Sequence, residues 1–272
     1  MYLYDTTYLR PGSIDEAKAL YDAGESPAFL SGGHTLLPAM KGHLARHDRL
    51  IDIRRIPELQ GIAEDESYLT IGAATRHCDV AAAPVVRNCI PALAGMVGTI
   101  GDVQVRHVGT IGGSLANNDP AADYPSAALA LDAIFRTDQR TLTAEEYFQG
   151  LYTTALEPGE LLVSVSFRKP EHAGYAKFRN PASRYALAAA FVAVHADGVR
   201  VAITGAGNDG VYRWHEAESA LGHKFESESL DPLRADMENM SSDMHANAEY
   251  RAELVKFCTQ KAVTNQNCIT LL

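Results

Sequence analysis

The amino-acid sequence predicts an α+β fold. Segments with the apolar alternation of strands are mixed with segments that have helical periodicity, and no regular strand–helix–strand repeat is present. Two glycine-rich loops interrupt this pattern. Hydrophobic residues make up 46% and charged residues 21% of the 272 residues, which is typical of a folded protein with a sizeable core. This length allows one large domain or two smaller ones.

The N-terminal third is predicted to alternate between helices and short strands. Ser13 is a good helix cap, and Glu16 stands three residues later as in a capping box, so a helix is expected over residues 13–23. Further elements follow from apolar spacing and from glycine and proline stops. They are strands at 28–30, 49–53 and 68–72, a helix or turn at 36–41, a helix start at Thr75, and short helices at 79–82 and 91–97.

The rest of the chain continues this mixture. Residues 110–116 contain two glycines and show no helical period, so they are predicted to be a loop. The dipeptide Asp197-Gly198 predicts a hairpin between strands 186–195 and 199–205. The other predicted elements are helices at 126–131, 144–148, 214–220 and 243–264, strands at 133–136 and 161–167, and a domain boundary near 169–172.

The charge balance narrows the class of partner. Lys and Arg number 24 against 34 Asp and Glu, which gives a formal net charge of −10. Nucleic-acid binding requires clustered basic residues, so it is disfavoured. A phosphate-bearing cofactor is still compatible with this charge, because backbone N–H groups can hold phosphate without net positive charge.

The cysteines and the N-terminus predict a cytoplasmic protein. Cys78, Cys89, Cys258 and Cys268 form no CxxC pair and no metal-ligand spacing, so they are expected to be reduced thiols. Residues 1–11 are interrupted by charges and do not resemble a signal peptide. The sequence contains no apolar run of about 18 residues, so no membrane span is predicted.

The two glycine-rich loops are the most informative motifs. Residues 31–38 (SGGHTLLP) follow a predicted strand, and residues 109–117 (GTIGGSLAN) repeat the combination of paired glycines with a hydroxyl residue. Glycine lets the backbone approach a bound group, and consecutive N–H groups with a hydroxyl suit a pyrophosphate. Neither loop has the GxGxxG or the GxxxxGK[ST] pattern, and either one alone is also compatible with an ordinary turn.

Five longer segments extend these motifs. They are SGGHTLLPAMKGHLARHDRLIDIRRIPEL (31–59), IGAATRHCDVAAAPVV (71–86), IGDVQVRHVGTIGGSLANNDPAADYPSAALALDA (100–133), EYFQGLYTTALEPGELLVSV (146–165) and YAKFRNPASRYALAAAFVAV (175–194). In this order they resemble the FAD-binding medium subunits of molybdenum hydroxylases, the family of carbon monoxide dehydrogenase flavoproteins and xanthine dehydrogenase FAD subunits.

The resemblance implies a fold of the vanillyl-alcohol-oxidase (PCMH) type with FAD as the cofactor. We expect an FAD-binding domain at 1–170, built from α+β subdomains at about 1–55 and 56–170. A smaller sheet-and-helix domain is expected at 171–272. Ser31 stands where the family usually has alanine, and no cysteine cluster is inserted, so no iron–sulfur site is expected in this chain.

The resemblance also implies which residues contact FAD. The first loop is expected to hold the pyrophosphate, the second to line the cofactor, and the segment with Ile100 and Gln104 to lie near the flavin ring. The cofactor-binding residues implied are Ser31, Gly32, Gly33, His34, Thr35, Ile100, Gln104, Thr110, Ile111, Gly112, Gly113, Ser114, Asp123, Leu161 (or Leu162) and Lys177. No catalytic residue and no metal ligand is expected in this chain.

Other polar residues have simpler interpretations beside functional ones. His34 follows two glycines, as in flavin oxidases with a covalent histidine–flavin bond, but family members normally hold FAD non-covalently. His43 and His47 could share a helix face, and a solvated surface pair is the simpler interpretation. Tyr152 and Tyr185 are candidates to stack on the flavin ring or to pack in the core. For Asp119 and Asp132, which stand on either side of Asp123, caps or turns are expected.

The function implied is electron transfer in a multi-subunit enzyme. Substrate would be hydroxylated at a molybdenum cofactor in a large partner subunit, and electrons would pass through 2Fe-2S clusters of a small subunit to this FAD. The external acceptor would be NAD, a quinone or oxygen. Two alternatives are a stand-alone FAD-dependent oxidase or dehydrogenase of the same fold, and a scaffold subunit with a degenerate FAD site.

Overall fold

The computed structural model describes residues 4–265 and 269–271, and Cys268 lies outside this range. The strands are β1 (Thr7–Leu9), β2 (Pro27–Leu30), β3 (Arg49–Asp52), β4 (Ile62–Glu64), β5 (Tyr68–Gly72), β6 (Ile134–Thr137), β7 (Thr141–Thr143), β8 (Phe148–Gly150), β9 (Thr153–Thr154), β10 (Leu162–Arg168), β11 (His172–Arg179), β12 (Ala186–His195), β13 (Gly198–Thr204), β14 (Tyr212–Arg213) and β15 (Ile269–Leu271). They mix with helices throughout, which confirms the predicted α+β class.

The helices connect and cover these strands. They are α1 (Ile14–Asp22), α2 (Leu36–Lys41), α3 (His77–Ala82), α4 (Pro84–Cys89), α5 (Pro91–Gly98), α6 (Val103–Val108), α7 (Ile111–Asn117), α8 (Tyr124–Ala130), α9 (Ala144–Tyr147), α10 (His215–His223) and α11 (Ala248–Thr264). Three single 3-10 turns occur at Pro57–Leu59, Ser227–Leu230 and Met237–Asn239. Within the described residues, no helix has the length and apolar character needed to cross a membrane.

Three larger sheets follow one another along the chain, and β8 and β9 form a further two-stranded antiparallel sheet. The first is parallel, with the order β1-β3-β2, and the second is antiparallel, with the order β4-β5-β10-β6-β7. The third has the order β14-β13-β12-β11-β15, and only its β11–β15 pair is parallel. The sheets fall on either side of the expected boundaries near 55 and 170, and the division into domains stays a prediction.

The third sheet is buried on both faces. Helices α5 and α8 pack on one face, and α10 and α11 pack on the other. Strand β12 (ALAAAFVAVH) is therefore almost continuously apolar, as expected for a strand without a solvent face. Its side chain Phe191 and the β11 residue Tyr175 join the core that also contains Phe135 and Tyr124, so this core is shared by the second and third sheets.

Most predicted elements are present within a few residues of their predicted bounds, including the hairpin of β12 and β13. The prediction of a loop over 110–116 is wrong, because these residues form the larger part of α7. Thr110 caps this helix by accepting a bond from the Gly113 amide at 3.1 Å, and burial of Ile111 and Leu115 stabilises it. Tertiary packing overrides the low helix propensity of the two glycines.

Smaller differences concern helix starts. Ser13 caps α1 by accepting a bond from the Glu16 amide, as predicted. The Glu16 carboxylate instead accepts from the Gly12 amide at 2.7 Å, so the capping box is incomplete. Helix α3 begins two residues after Thr75, and α11 begins at Ala248 instead of 243.

Candidate functional site

The two glycine-rich segments lie against each other. The first glycine loop (residues 31–35) leaves β2, and the second glycine loop (residues 109–113) enters α7. Ser31 Oγ lies 2.7 Å from Thr110 Oγ1. A Cβ atom on Gly32 would lie 2.6 Å from Gly109 Cα, so a side chain at Gly32 would separate the loops. Direct backbone contact therefore explains why glycine is required at position 32.

Two other glycines shape the same region for separate reasons. Gly33 has a φ of +69°, in the left-handed region that favours glycine. A Cβ on Gly112 would lie 2.7 Å from the carbonyl oxygen of Ala73, at the end of β5. Gly112 thus lets α7 pack directly on the second sheet, and this packing fixes the second glycine loop in place.

A cavity of about 710 Å³ opens along both loops. Its volume falls within the range typical of ligand-binding pockets. Its apolar lining includes Phe29, Leu30, Ile53, Leu156, Leu161 and Leu162. Other lining residues are Ile100, Gly101, Val105, Asp123, Ser183, Arg184 and Tyr185. Apolar side chains and glycine-loop backbone along one cavity suit a dinucleotide, which joins two ring systems through a pyrophosphate.

Asp123 takes part in a buried ion pair at the cavity wall. Lys177 Nζ lies 2.9 Å from Oδ1 and 3.0 Å from Oδ2 of Asp123. The Tyr175 hydroxyl donates to Oδ1 of the same carboxylate. Burial raises the pKa of Tyr175 well above its usual value, so this hydroxyl stays protonated and remains a donor. All three side chains are buried, and only Asp123 of the three lines the cavity.

His77 is a second buried polar residue at the cavity wall. It is the first residue of α3, it lines the cavity, and it is only 4% exposed. Burial lowers its pKa to about 4, and the nearby charges of His34 and Arg106 lower it further in the same direction. The imidazole is therefore neutral near pH 7. Its Nδ1 atom is buried and has no hydrogen-bond partner.

Two arginines bind the backbone at Ile100 and Gly101, which line the cavity. Arg106 Nη1 donates to the carbonyl oxygen of Ile100 at 2.8 Å, and Arg184 Nη1 donates to that of Gly101 at 3.3 Å. Arg184 has a φ of +65°, an uncommon conformation for a residue other than glycine. Arg184 belongs to the turn between β11 and β12, so its bond links the third sheet to the segment between α5 and α6.

The start of β10 is held by ionic contacts from the β6–β7 turn. Asp138 accepts a bond from the Leu161 amide at 2.7 Å. Glu160 accepts from Arg140 Nε at 2.9 Å and from the Thr137 hydroxyl at 2.7 Å. The Arg140 guanidinium is the largest of the influences that hold the pKa of Glu160 at about 2, although burial opposes them. These contacts fix the segment that presents Leu161 to the cavity.

The structure brings most of the implied cofactor residues together. The cavity is lined by Ser31, Gly32, Gly33, His34, Thr35, Ile100, Thr110, Gly112, Gly113, Ser114, Asp123 and Leu161. Ile111, Gln104 and Lys177 do not line it. Ile111 packs into the core, Gln104 is exposed on α6, and Lys177 lies behind Asp123.

Sequence reasoning missed several residues that line the cavity. His77, Glu160 and Arg184 come from three separate elements, and no motif connects them. Phe29 and Ile53 lie in predicted strands and carry no site motif. The available signal was position, because His77, Glu160, Arg184 and Ile53 lie within the segments that carry the family resemblance.

Other polar residues for which the sequence left alternatives open make ordinary structural contacts. His43 and His47 lie beyond the end of α2 and share no helix, and His47 Nδ1 contacts the Ser26 carbonyl oxygen at 3.1 Å. Asp119 accepts a bond from the Ala121 amide in a turn, and Asp132 pairs with Arg168 and Arg200. In the described part of the chain, no group of three His, Cys, Asp or Glu side chains could hold a metal ion.

Comparison with known proteins identifies relatives along the whole chain. Residues 4–169 match the model of the FAD binding domain in molybdopterin dehydrogenase. The carbon monoxide dehydrogenase medium chain of Hydrogenophaga pseudoflava is 33% identical, covering 94% of this chain and 95% of that one. The glyceraldehyde dehydrogenase medium chain of Sulfolobus acidocaldarius is 31% identical, covering 96% and 98%.

Solved structures agree with the sequence matches. A chain of reconstituted CO dehydrogenase from Oligotropha carboxidovorans superposes with a TM-score of 0.88 at 31% identity, covering 98% of this chain and 99% of that one. A chain of quinoline 2-oxidoreductase from Pseudomonas putida 86 gives a TM-score of 0.86 at 26% identity, with 97% of each chain covered. The similarity therefore extends over both the matched domain and the third sheet.

Proposed function

The chain belongs to the family of FAD-binding domains in molybdopterin dehydrogenases, and from this premise we propose how it transfers electrons and with which partners. It is the FAD-binding, electron-transferring subunit of a molybdenum-containing oxidoreductase. We propose that it receives electrons from 2Fe-2S clusters of a small subunit and that a large subunit carries the molybdenum cofactor. The chain then delivers the electrons to an external acceptor such as NAD, a quinone or oxygen.

The observation that carries this proposal is the contact between the two glycine loops at the middle of one dinucleotide-sized cavity. Bound FAD supplies the redox chemistry, and the protein binds and orients it and tunes its electrostatic surroundings. The backbone between Ser31 and Thr35 and the hydroxyls of Thr110 and Ser114 would hold the pyrophosphate. The apolar side chains that line the cavity beside Leu161 would contact the adenine.

The Asp123–Lys177 pair is proposed to act on the flavin. Asp123 lines the cavity and would contact the cofactor, and Lys177 holds that carboxylate from behind. The buried ammonium group of Lys177 would also favour electron density on the reduced flavin, because charge interactions are strong where water is excluded. Lys177 thus has a positioning role, and Asp123 has a direct contact.

A second cavity suggests where the external acceptor approaches. It has a volume of about 350 Å³ and shares Ser183 and Tyr185 with the first cavity, so these residues lie between the two. Its polar lining includes Asn180, Asn208 and Arg251. We propose that the acceptor enters here and that Tyr185 covers the flavin from this side, which leaves the α6 side for the iron–sulfur subunit.

We also propose a cytoplasmic location. Cys78, Cys89 and Cys258 are free thiols in the described part of the chain, and free thiols are typical of a reducing compartment. Fractionation of cells that produce the tagged chain would test this. Recovery of the chain in a periplasmic or membrane fraction would contradict the proposed location.

Purification of the tagged chain from its native host tests the proposed function. We expect a yellow complex that contains two further subunits, molybdenum, iron and about one FAD per chain. Acid precipitation should leave all flavin in the supernatant, because His34 is not expected to bond covalently to it. A colourless preparation would support the scaffold alternative, and a yellow chain that turns over substrate without partners would support the stand-alone oxidase.

A further inference from the structure

His77 carries an orphaned polar atom at the wall of the cavity. Its side chain is 4% exposed, and its Nδ1 atom is buried without a hydrogen-bond partner. The orphaned Nδ1 has a consequence for Nε2, because a neutral imidazole carries one proton and an N–H at Nδ1 would be buried without an acceptor. His77 was not among the residues that the family resemblance implied as cofactor contacts.

The imidazole is fixed against the second glycine loop. The His77 amide donates to the carbonyl oxygen of Gly109 at 2.9 Å. A Cβ on Gly109 would lie 2.8 Å from both Cδ2 and Nε2 of the ring, so the ring edge lies directly beside Gly109. Gly32 of the first glycine loop contacts Gly109 as well. The ring is therefore held at the place where the two phosphate-binding loops meet.

The surroundings determine which ring nitrogen can donate. The ring of Tyr124 lies 5.5 Å from that of His77, centroid to centroid, and its buried hydroxyl also has no partner. A neutral imidazole has one N–H donor and one acceptor. Nδ1 is buried with no partner, so an N–H there would lack an acceptor, and Nδ1 is best left without a proton. The proton then resides on Nε2, on the side of Gly109.

We propose that His77 is a further cofactor-holding residue, whose Nε2–H donates a hydrogen bond to a pyrophosphate oxygen of bound FAD. The inference deepens the proposed function, because it requires FAD in this cavity with its pyrophosphate at the glycine loops. Hydrogen bonds to a charged acceptor are the stronger class, so this contact would add appreciably to FAD affinity.

If His77 binds FAD, its replacement should not lower the stability of the cofactor-free protein. If His77 only packs in the core, its replacement should lower that stability. A buried histidine with an orphaned nitrogen destabilises the cofactor-free fold, because that nitrogen has lost its water. Replacement of His77 by leucine removes the orphan and fills most of the same space. The cofactor-free protein should keep or raise its Tm while its FAD affinity falls.

The test uses the full chain in its assembled complex after removal of flavin. FAD binding to wild type, His77→Leu and His77→Gln is measured by flavin fluorescence, and Tm is measured without FAD. We expect His77→Leu to raise the Kd for FAD about tenfold or more, the effect of losing a charge-assisted bond. His77→Gln retains a side-chain N–H, so its Kd should stay within about threefold of wild type. His223→Leu, at an exposed position on α10, is the matched control.

Ligand fragments locate the lost contact. In competition with FAD, the affinity of ADP should be lower for His77→Leu than for the wild type, by a factor similar to that for FAD. The affinity of adenosine, which lacks phosphate, should not change. An unchanged Kd for FAD in His77→Leu overturns the inference. Equal losses in the leucine and glutamine variants with a lowered cofactor-free Tm also overturn it, because they indicate packing. Failure of the wild type to bind FAD would instead contradict the proposed function.

Discussion

Gly32 shows how one missing side chain shapes the site. A Cβ at this position would meet backbone atoms of Gly109 and Val108, at 2.6 Å and 2.9 Å, and backbone cannot rotate away as a side chain can. We expect Gly32→Ala to destabilise the fold by about 1–3 kcal/mol through overpacking and to weaken FAD binding at least tenfold. Urea unfolding and flavin titration measure the two effects.

Gly222→Ala is the matched control for this substitution. Gly222 lies in α10, and a Cβ there meets no atom within 4 Å. Alanine should leave FAD binding unchanged and stabilise the helix by up to about 1 kcal/mol. Equal FAD affinity in Gly32→Ala and Gly222→Ala would show that the loops do not need their close contact.

Lys177 carries a positive charge that is buried in the fold. It is 1% exposed and its ammonium group contacts both oxygens of the buried Asp123 carboxylate. Lys177→Met leaves this carboxylate buried and unpaired, so we expect the free energy of unfolding to fall by about 3–5 kcal/mol. The double variant with Asp123→Asn should recover part of the loss. Urea unfolding of both variants is the measurement.

Lys224→Met provides the comparison for this loss. The Lys224 side chain is 68% exposed and pairs with Glu226 on the surface, so its replacement should leave stability nearly unchanged. If Lys177→Met altered neither the flavin reduction potential nor FAD affinity, the proposed effect of Lys177 on the flavin would be withdrawn and its role would be confined to folding.

At the scale of elements, the cap of α7 joins helix formation to cofactor binding. Thr110 Oγ1 accepts from the Gly113 amide and also contacts Ser31 of the first glycine loop. Thr110→Val keeps the shape and removes both bonds, and we expect a loss of about 1 kcal/mol of stability with weaker FAD binding. Thr110→Ser should restore both, and a valine variant with wild-type FAD affinity would contradict this link.

The Glu160 carboxylate makes the stability of the segment before β10 depend on pH. Its pKa of about 2 in the folded protein lies below the ordinary value of 4.5, because Arg140 and Thr137 favour the carboxylate. This stabilisation is complete above about pH 5 and is lost as the pH falls towards 2. Glu160→Gln should therefore destabilise the fold at pH 7 by about 2 kcal/mol, with a difference that shrinks on acidification.

Urea unfolding of the wild type and Glu160→Gln at pH 7, 5, 4 and 3 measures this effect. Asp138→Asn is a useful companion, because Asp138 holds the neighbouring Leu161 amide through a different bond. A difference between wild type and Glu160→Gln that stays constant from pH 7 to pH 3 would mean that the Glu160 carboxylate is not the group that titrates.

At the scale of the whole molecule, the expected boundary near residue 170 separates sheets but not the core. Tyr175 and Phe191 of the third sheet pack in the same apolar core as Phe135 of the second. Both partners of Asp123 also lie beyond the boundary. We expect a chain of residues 1–170 to lack a cooperative thermal transition and to bind no FAD, as measured by circular dichroism and flavin titration.

The full chain, prepared in the same way, is the reference for this truncation. If residues 1–170 melted cooperatively and bound FAD, the expected domain would be an independent folding unit. Asp123 would then have lost both of its side-chain partners without loss of the fold.

The sequence predicts the class of fold, most helices and strands, and the segments that hold the glycine loops. Local signals suffice for these features, because capping residues, apolar period and glycine act over a few residues. The same signals failed at α7, where Ile111 and Leu115 pack into a core that no local sequence pattern predicts. The family resemblance supplied the cofactor, which composition and spacing alone left open.

The contacts between residues that are distant in the sequence became known from the tertiary structure. Ser31 and Thr110 are 79 positions apart, and Asp123 and Lys177 are 54 apart, yet each pair is in direct contact. The structure also placed Lys177 behind Asp123 and left His77 with an orphaned nitrogen at the cavity wall. Such contacts depend on how sheets and helices pack together, and packing is a property of the whole chain that short sequence motifs do not encode.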